Sequence, residues 1–281
     1  MKTPEPEGWR LAFHEFLPCN AAERPATLAE LVSRAKAEGA TCNLVLPANQ
    51  YQIFQVERPA VQDDEVADAL VWKLKELIDY PAEDAISDIF PYPDDATRGR
   101  GKQVNIVCSR KVLLKELVKL VEGSGLMLGS IDVTELALRN MARMFTVESQ
   151  SLGFLYMRDG FGMMVLVKGD VMYLSRKFDI QQKALQDPAR QDSVVQQLSL
   201  EIQRSVDYFE SQMGQVPPRR IVLLGPDITL PLAQLVDPLL AVSVDDANWD
   251  TVLEEQDSES LNRLVQTLVA VGGAYREEVA S

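Results

Sequence analysis

From Tyr51 apolar and polar residues alternate, YQIFQVERP, with the period of a strand that has one face buried, and Pro59 ends the run. The period then lengthens. In VQDDEVADALVWKLKELIDYP the residues Val66, Ala69, Leu70, Leu74, Leu77 and Ile78 recur on one helical stripe, while Asp63, Asp64 and Glu65 fill the first turn, where the helix dipole favours acids. The same two periods parse the chain on either side. WRLAFHEFLPC reads as a strand, followed by the turn-rich NAAERP and a helix, ATLAELVSRAKAEG, with Leu28, Leu31, Val32 and Ala35 on its stripe and Gly39 as its stop. CNLVLP is a short continuous apolar run, the mark of a strand covered on both faces. AISDIFPYP and KQVNIVCSR are strands joined by the polar link DDATRGRGK, and KVLLKELVKLVEGSG is an amphipathic helix ending on Gly123 and Gly125. LMLGSIDV returns as a strand, and TELALRNMARMF follows as a helix with Thr134 placed to cap it.

A second half opens at about Glu148. SLGFLYMRD, GMMVLVKGD and VMYLSRKFD are three short apolar strands separated by the turn signals DGFG and KGD, a meander. After a polar loop come a helix over 193–213, the strand RRIVLLG, the helix LPLAQLVDPL, the strand AVSVD and the closing helix SLNRLVQTLVAVGGAYREE. Both halves thus run from strands into alternating helix and strand. The pattern predicts an α/β chain of two domains, 1–147 and 148–281, with a small α/β insert over about 51–125 in the first.

Composition narrows the class of partner. The chain of 281 residues is 46% apolar and 25% charged, as in ordinary globular proteins. Its net charge of -14 argues against nucleic acid and anionic lipid, because such binding needs lysines and arginines to displace counterions. The longest apolar stretch, ITLPLAQLVDPLLAVSV, is broken by two prolines and an aspartate, and MKTPEPEGW lacks the features of a signal peptide, so the expected location is the cytoplasm. Cys19, Cys42 and Cys108 lie far apart in or beside apolar runs and read as small buried residues in a reducing compartment. The single histidine, His14, cannot by itself build a metal site.

Two stretches carry a family likeness. EIQRSVDYFESQMGQVPPRRIVLLG (201–225) resembles the corresponding helix and strand of the type IV pilus assembly protein PilM. LPANQYQIFQVERPAVQDDEVADALVWKLKELIDYPAEDAISDIFPYP (46–93) resembles the MSHA pilus biogenesis protein MshI, a relative of PilM and of the cytoplasmic part of the type II secretion protein GspL. The likeness runs from about Trp9 to the carboxyl end. It implies an actin-like, ribonuclease H-like fold of two α/β domains with a small insert in the first. It also implies a role: a cytoplasmic scaffold, peripheral to the inner membrane, that holds the cytoplasmic tail of a bitopic PilN-like partner without itself entering the bilayer.

Actin-like ATPases cradle phosphates in two glycine-bearing hairpins. Only MKTPEPEG precedes WRLAFHEFL, which is too short for two strands of about 5 residues and a turn, so the amino-terminal hairpin is expected to be missing. The second hairpin keeps Asp159, Gly160 and Gly162, but Met163 and Met164 stand where a hydroxyl residue would help; an Asp-Gly pair also suits any tight turn. On the adenosine side the resemblance implies Glu201, Arg204 and Gly225. Glu201 and Arg204 fit equally an ion pair at i,i+3, and Pro226 after Gly225 removes an N–H donor. These six positions form a vestigial nucleotide site, with no residue assigned a catalytic role, no metal site and no cofactor expected. The chain then reads as a pseudo-ATPase, the rivals being an active PilM-like ATPase with ATP and magnesium and a GspL-like module. The latter is disfavoured because GGAYREEVAS closes the chain where a membrane segment is expected. For the tail, family precedent points to a groove between the first-domain sheet and the insert, where Arg58, Trp72 and Lys75 are the candidate contacts. Met141, Met144, Met163, Met164 and Met172 read as core filling.

Overall fold

The computed structural model describes residues 2–5, 8–99, 101–142, 145, 150–158, 160–180, 182–225, 230–248 and 258–276. The chain opens on β1 (Lys2–Glu5) and β2 (Gly8–Leu11), paired antiparallel from Lys2 opposite Leu11 to Glu5 opposite Gly8. The segment MKTPEPEG thus supplies one strand and Gly8 to a hairpin whose other strand is the start of WRLAFHEFL; it does not itself hold two strands. Its connection, Pro6 and Glu7, lies outside the described residues. The predicted strand WRLAFHEFL keeps strand geometry only as far as Leu11.

Two compact units follow: Leu17–Thr134, and Glu135–Ser281 together with Lys2–Phe16. In the first, α1 (Arg24–Ala35) is preceded by a reciprocal cap. Asn20 Oδ1 accepts from the N–H of Ala22 and Glu23, at 2.9 and 3.2 Å, and Glu23 Oε2 accepts from the N–H of Asn20. β3 (Thr41–Leu46) leads to β4 (Gln52–Glu57), α2 (Val66–Leu77), β5 (Ala85–Pro91), β6 (Gln103–Arg110), α3 (Lys111–Gly123) and β7 (Met127–Val133). β4, β6 and β5 form an antiparallel sheet in that order. The stripe of α2 lies on it: Val66, Leu70 and Leu74 pack with Val56, Val104, Ile106 and Cys108 in one buried cluster. α3 was expected to close this insert. It packs on β7 and α1 as well as on β6, from which it emerges.

β3 and β7 pair parallel, and among the described residues neither has a second strand partner. CNLVLP is consequently not covered on both faces: only Leu46 is buried. Thr134 also departs from expectation. Its hydroxyl donates to the Leu46 carbonyl at 2.9 Å and its N–H to the Tyr51 hydroxyl at 3.1 Å, so it ties the end of β7 to the end of β3 rather than capping a helix.

The second unit contains α4 (Thr134–Ala142, with Thr134 itself at the boundary), β8 (Ser151–Arg158), β9 (Phe161–Lys168), β10 (Val171–Phe178), α5 (Gln182–Gln186) and α6 (Gln191–Ser211). β11 (Arg220–Leu224), α7 (Leu232–Val236), β12 (Ser243–Asp246) and α8 (Ser258–Ala274) complete it. The five-stranded sheet runs β10-β9-β8-β11-β12, the meander antiparallel and β11 parallel to both β8 and β12. Met141, Met163, Met164 and Met172 are buried in its core; Met144 lies outside the described residues.

Within the second unit α4 is bound to α8. Asn140 donates to the Gly272 carbonyl at 3.0 Å, and a Cβ on Gly272 would sit 2.1 Å from the Ala137 carbonyl oxygen, so only glycine permits this crossing. Among the described residues no helix is long and apolar enough to cross a membrane.

Candidate functional site

The register of the five-stranded sheet decides which of the nucleotide-site candidates converge. Leu224 lies beside Tyr156, so Gly225 follows on next to Met157, and the β8–β9 turn and the chain leaving β11 open at the same sheet end. Gly160 is in that turn at φ +92, with nothing within 4 Å of a Cβ position. Its glycine is required by backbone conformation, not by a close approach. Asp159, Pro226 and Asp227 lie outside the described residues.

Gly162 has a different duty from the one expected. It sits inside β9, opposite both Met157 and Phe178, and a Cβ there would lie 2.0 Å from a Phe178 ring carbon and 2.9 Å from the Met157 sulfur. The glycine makes room for an aromatic ring rather than for phosphate. Met163 and Met164 follow it into the core. Among the described residues a Cβ at Gly225 would meet only the Leu223 side chain, at 3.5 Å and beyond, an ordinary contact that does not demand glycine.

α6 packs on the sheet with Phe209 edge-on to Tyr173, ring centroids 5.6 Å apart, at the end remote from the β8–β9 turn. Glu201 lies eight residues earlier, about 12 Å along the axis and toward the turn end. Its Oε1 accepts from Arg204 Nη1 at 2.7 Å, with Glu201 21% and Arg204 57% exposed. The two candidates are thus satisfied by each other. The same sheet end also holds groups that the sequence did not flag. The Lys177 ammonium stands 4.8 Å above the Phe161 ring, and Phe161 meets Tyr156 edge-on. Burial pushes the Tyr156 phenol up, and Arg158 opposes that shift.

In the first unit, Arg58 is engaged within the chain. Its guanidinium pairs with Asp63 at the start of the α2 segment and reaches the Pro59 carbonyl at 3.4 Å, while its N–H bonds the Lys102 carbonyl at 2.8 Å. Trp72 and Lys75 stand one turn apart on the outer side of α2, Trp72 61% exposed beside the exposed Val71. They lie about 13 Å (Trp72) and about 18 Å (Lys75) along the helix from Asp63. The structure brings Trp72 and Lys75 together and leaves Arg58 as the clasp between β4 and α2.

A cavity of about 240 Å³ opens beside these elements, lined by the 49–52 link from β3 into β4, by Asp79 and Tyr80 after α2, and by the end of β6 with Leu113 of α3. The Arg110 guanidinium lies 4.0 Å over the Tyr80 ring and 3.7 Å from the Asp79 carboxylate. Burial, then the neighbouring Cys108 thiol to which it hydrogen-bonds, push the Tyr80 phenol up to about 12. Ser109 Oγ donates to the Gln50 carbonyl at 2.7 Å and fixes the link. Gln50 Oε1 is buried, yet no protein donor reaches it. Nothing in the sequence pattern marks this cavity, since its walls come from four separate segments. Of the three free cysteines only Cys108, in this wall, is fully buried; Cys42 is half-buried and Cys19 is exposed, against expectation.

No protein-family model matches the sequence, and no curated protein matches it. Solved structures do. A chain of a PilM–PilN type IV pilus biogenesis complex superposes with a TM-score of 0.71 at 21% identity, over 97% of this chain and 89% of that one. The cytoplasmic domain of EpsL, an inner-membrane component of the type II secretion system of Vibrio cholerae, superposes with a TM-score of 0.52 at 14% identity, over 90% of this chain and 82% of that one. At these identities the likeness establishes the fold: the chain has the actin-like, two-domain α/β fold of these pilus and secretion components.

Proposed function

We propose that the protein is a cytoplasmic scaffold of type IV or MSHA pilus biogenesis, held at the inner membrane by the cytoplasmic tail of a bitopic PilN-like protein. The observation that carries the reading is the superposition over 97% of the chain on a component of the PilM–PilN complex. The tail site we assign to the cavity between the β3–β4 link, α3 and the insert, with Trp72 and Lys75 on the neighbouring outer side of α2 as secondary contacts. An extended segment suits such a site because its main chain offers regularly spaced donors and acceptors. The test is calorimetry with a synthetic cytoplasmic tail of a bitopic PilN-like protein. Saturable binding that Leu113→Arg abolishes is expected, and tail binding untouched by that change would refute the placement.

We further propose that the chain is a pseudo-ATPase. Gly162 accommodates Phe178, Met163 and Met164 are core residues, and Glu201 and Arg204 satisfy each other, which leaves little of the set a phosphate site needs. Titration with ATP and magnesium is expected to give no turnover; phosphate release above background would overturn this. The likeness to the EpsL cytoplasmic domain supports a second reading, a type II secretion module. It differs in partner, and the same titration with a secretion-system tail discriminates it.

A further inference from the structure

Acidity in this chain is not spread evenly. From Asp63 to Asp95 there are eleven acids against Lys73 and Lys75, a net charge of -9 within a total of -14. Much of it lies on and beside α2, whose inward stripe of Val66, Leu70 and Leu74 already fills the insert core. On the outer side Val71 and Trp72 stand next to each other, 44% and 61% exposed, and add nothing to that core. Asp68 lies one turn before both, Asp64 and Glu65 a turn earlier, and Glu76 one turn after Trp72; all four are exposed, with Lys75 as the one exposed cation of the helix. Glu83 and Asp84, in the turn Ala82–Asp84 that packs on α2, are exposed as well. We infer that this surface docks a basic amphipathic helix of a protein other than the tail, with apolar side chains against Val71 and Trp72 and lysines or arginines beside Asp68 and Glu76. An exposed apolar pair ringed by one sign of charge selects a partner with apolar residues ringed by the other. Tryptophan is the residue most often central to such contacts, and its ring face takes a guanidinium. The surface repeats once per helical turn, about 5.4 Å, which positions i, i+3 and i+4 of a facing helix match and the two-residue repeat of an extended chain, about 6.6 Å, does not. An anionic lipid surface is repelled by the same acids. Trp72, a secondary contact in the tail reading, is here the centre of a separate site.

The probe is a synthetic helix of about five turns, leucine along one face and lysine and arginine on the other, titrated into the full chain and followed by protein-observed NMR. Its control has the same composition in scrambled order, which keeps the charge and loses the apolar face. The amphipathic probe is expected to shift the signals of Val71 and Trp72 and to bind about tenfold or more tightly than the scramble. Trp72→Gln is expected to remove that ratio, and Asp68→Lys to weaken both peptides severalfold at low salt. Both side chains are exposed, so both variants should melt with the wild type, which separates lost docking from lost folding. Equal binding of probe and scramble, or a ratio untouched by Trp72→Gln, overturns the inference. A saturating PilN-like tail is expected to leave the probe bound; displacement would return Trp72 to the tail site and overturn it too. Failure of the tail itself to bind would sink the scaffold reading alone, since the probe and its control do not depend on it.

Discussion

At the scale of single residues, the glycines separate ancestry from chemistry. Gly162 and Gly225 look alike as candidates, but one is pressed by Phe178 and the other meets nothing closer than an ordinary contact. Gly162→Ala is therefore expected to destabilise by about 1–3 kcal/mol, as overpacking does, whereas Gly225→Ala should stay within about 0.5 kcal/mol; urea unfolding measures both. An equal cost at the two positions would contradict the packing account of Gly162. The sequence singled out Gly162 as a phosphate-loop glycine, and its packing against Phe178 gives the residue a structural reason of its own. Which ring faces Gly162 depends on the β9–β10 register, and that register shifts between Met172 and Leu174, which no local pattern reveals. Glu201 and Arg204 were open to two readings, and their mutual 2.7 Å bond favours the modest one. As an i,i+3 pair whose Arg204 is largely exposed, they are expected to couple by only about 0.2–0.5 kcal/mol in a double-mutant cycle. A coupling several times larger would point to a shared third partner.

At the scale of elements, periodicity was a sound guide to existence and a poor one to allegiance. The stripe of α2 was readable because Val66, Leu70 and Leu74 recur with the helical period, and those side chains fill the insert core. Leu74→Ala, at 1% exposure, is expected to cost about 2–5 kcal/mol through the cavity it leaves. Thermal unfolding checks this, and a loss below 1 kcal/mol would mean that α2 is not anchored on the β4–β6–β5 sheet. What periodicity could not show is that α3 packs on β7 and α1 as well as on β6, or that Thr134 spends its hydroxyl on Leu46, 88 residues away in sequence. Both depend on a parallel pairing of β3 with β7, whose strands are separated by the whole insert. The α4–α8 crossing was hidden for the same reason. Gly272 reads as a helix-weakening residue until the Ala137 carbonyl is seen against it. Gly272→Ala should consequently lower the melting temperature even though alanine is the better helix former.

At the scale of the whole molecule, net charge bears on how the protein meets a membrane surface. A chain of net charge -14 is repelled by the anionic cytoplasmic leaflet, and none of its described helices is long and apolar enough to cross a bilayer. Co-sedimentation with vesicles rich in anionic lipid is therefore expected to leave the protein in the supernatant, and, on the function proposed above, to bring it down only when the vesicles carry a PilN-like tail. The same charge makes a prediction about rate. If the tail is basic, as the acidic surface invites, diffusional encounter is steered at low salt and loses that steering once the Debye length falls from about 10 Å at 0.1 M to a few ångström near 1 M. Stopped-flow measurements from 0.05 to 0.5 M salt should show the association rate falling severalfold, while dissociation, governed by the short-range contacts of the cavity, changes little. An association rate indifferent to salt would mean that the tail is not drawn in by the net charge. Recognition would then rest on the neutral contacts around Gln50, Tyr80 and Leu113 alone.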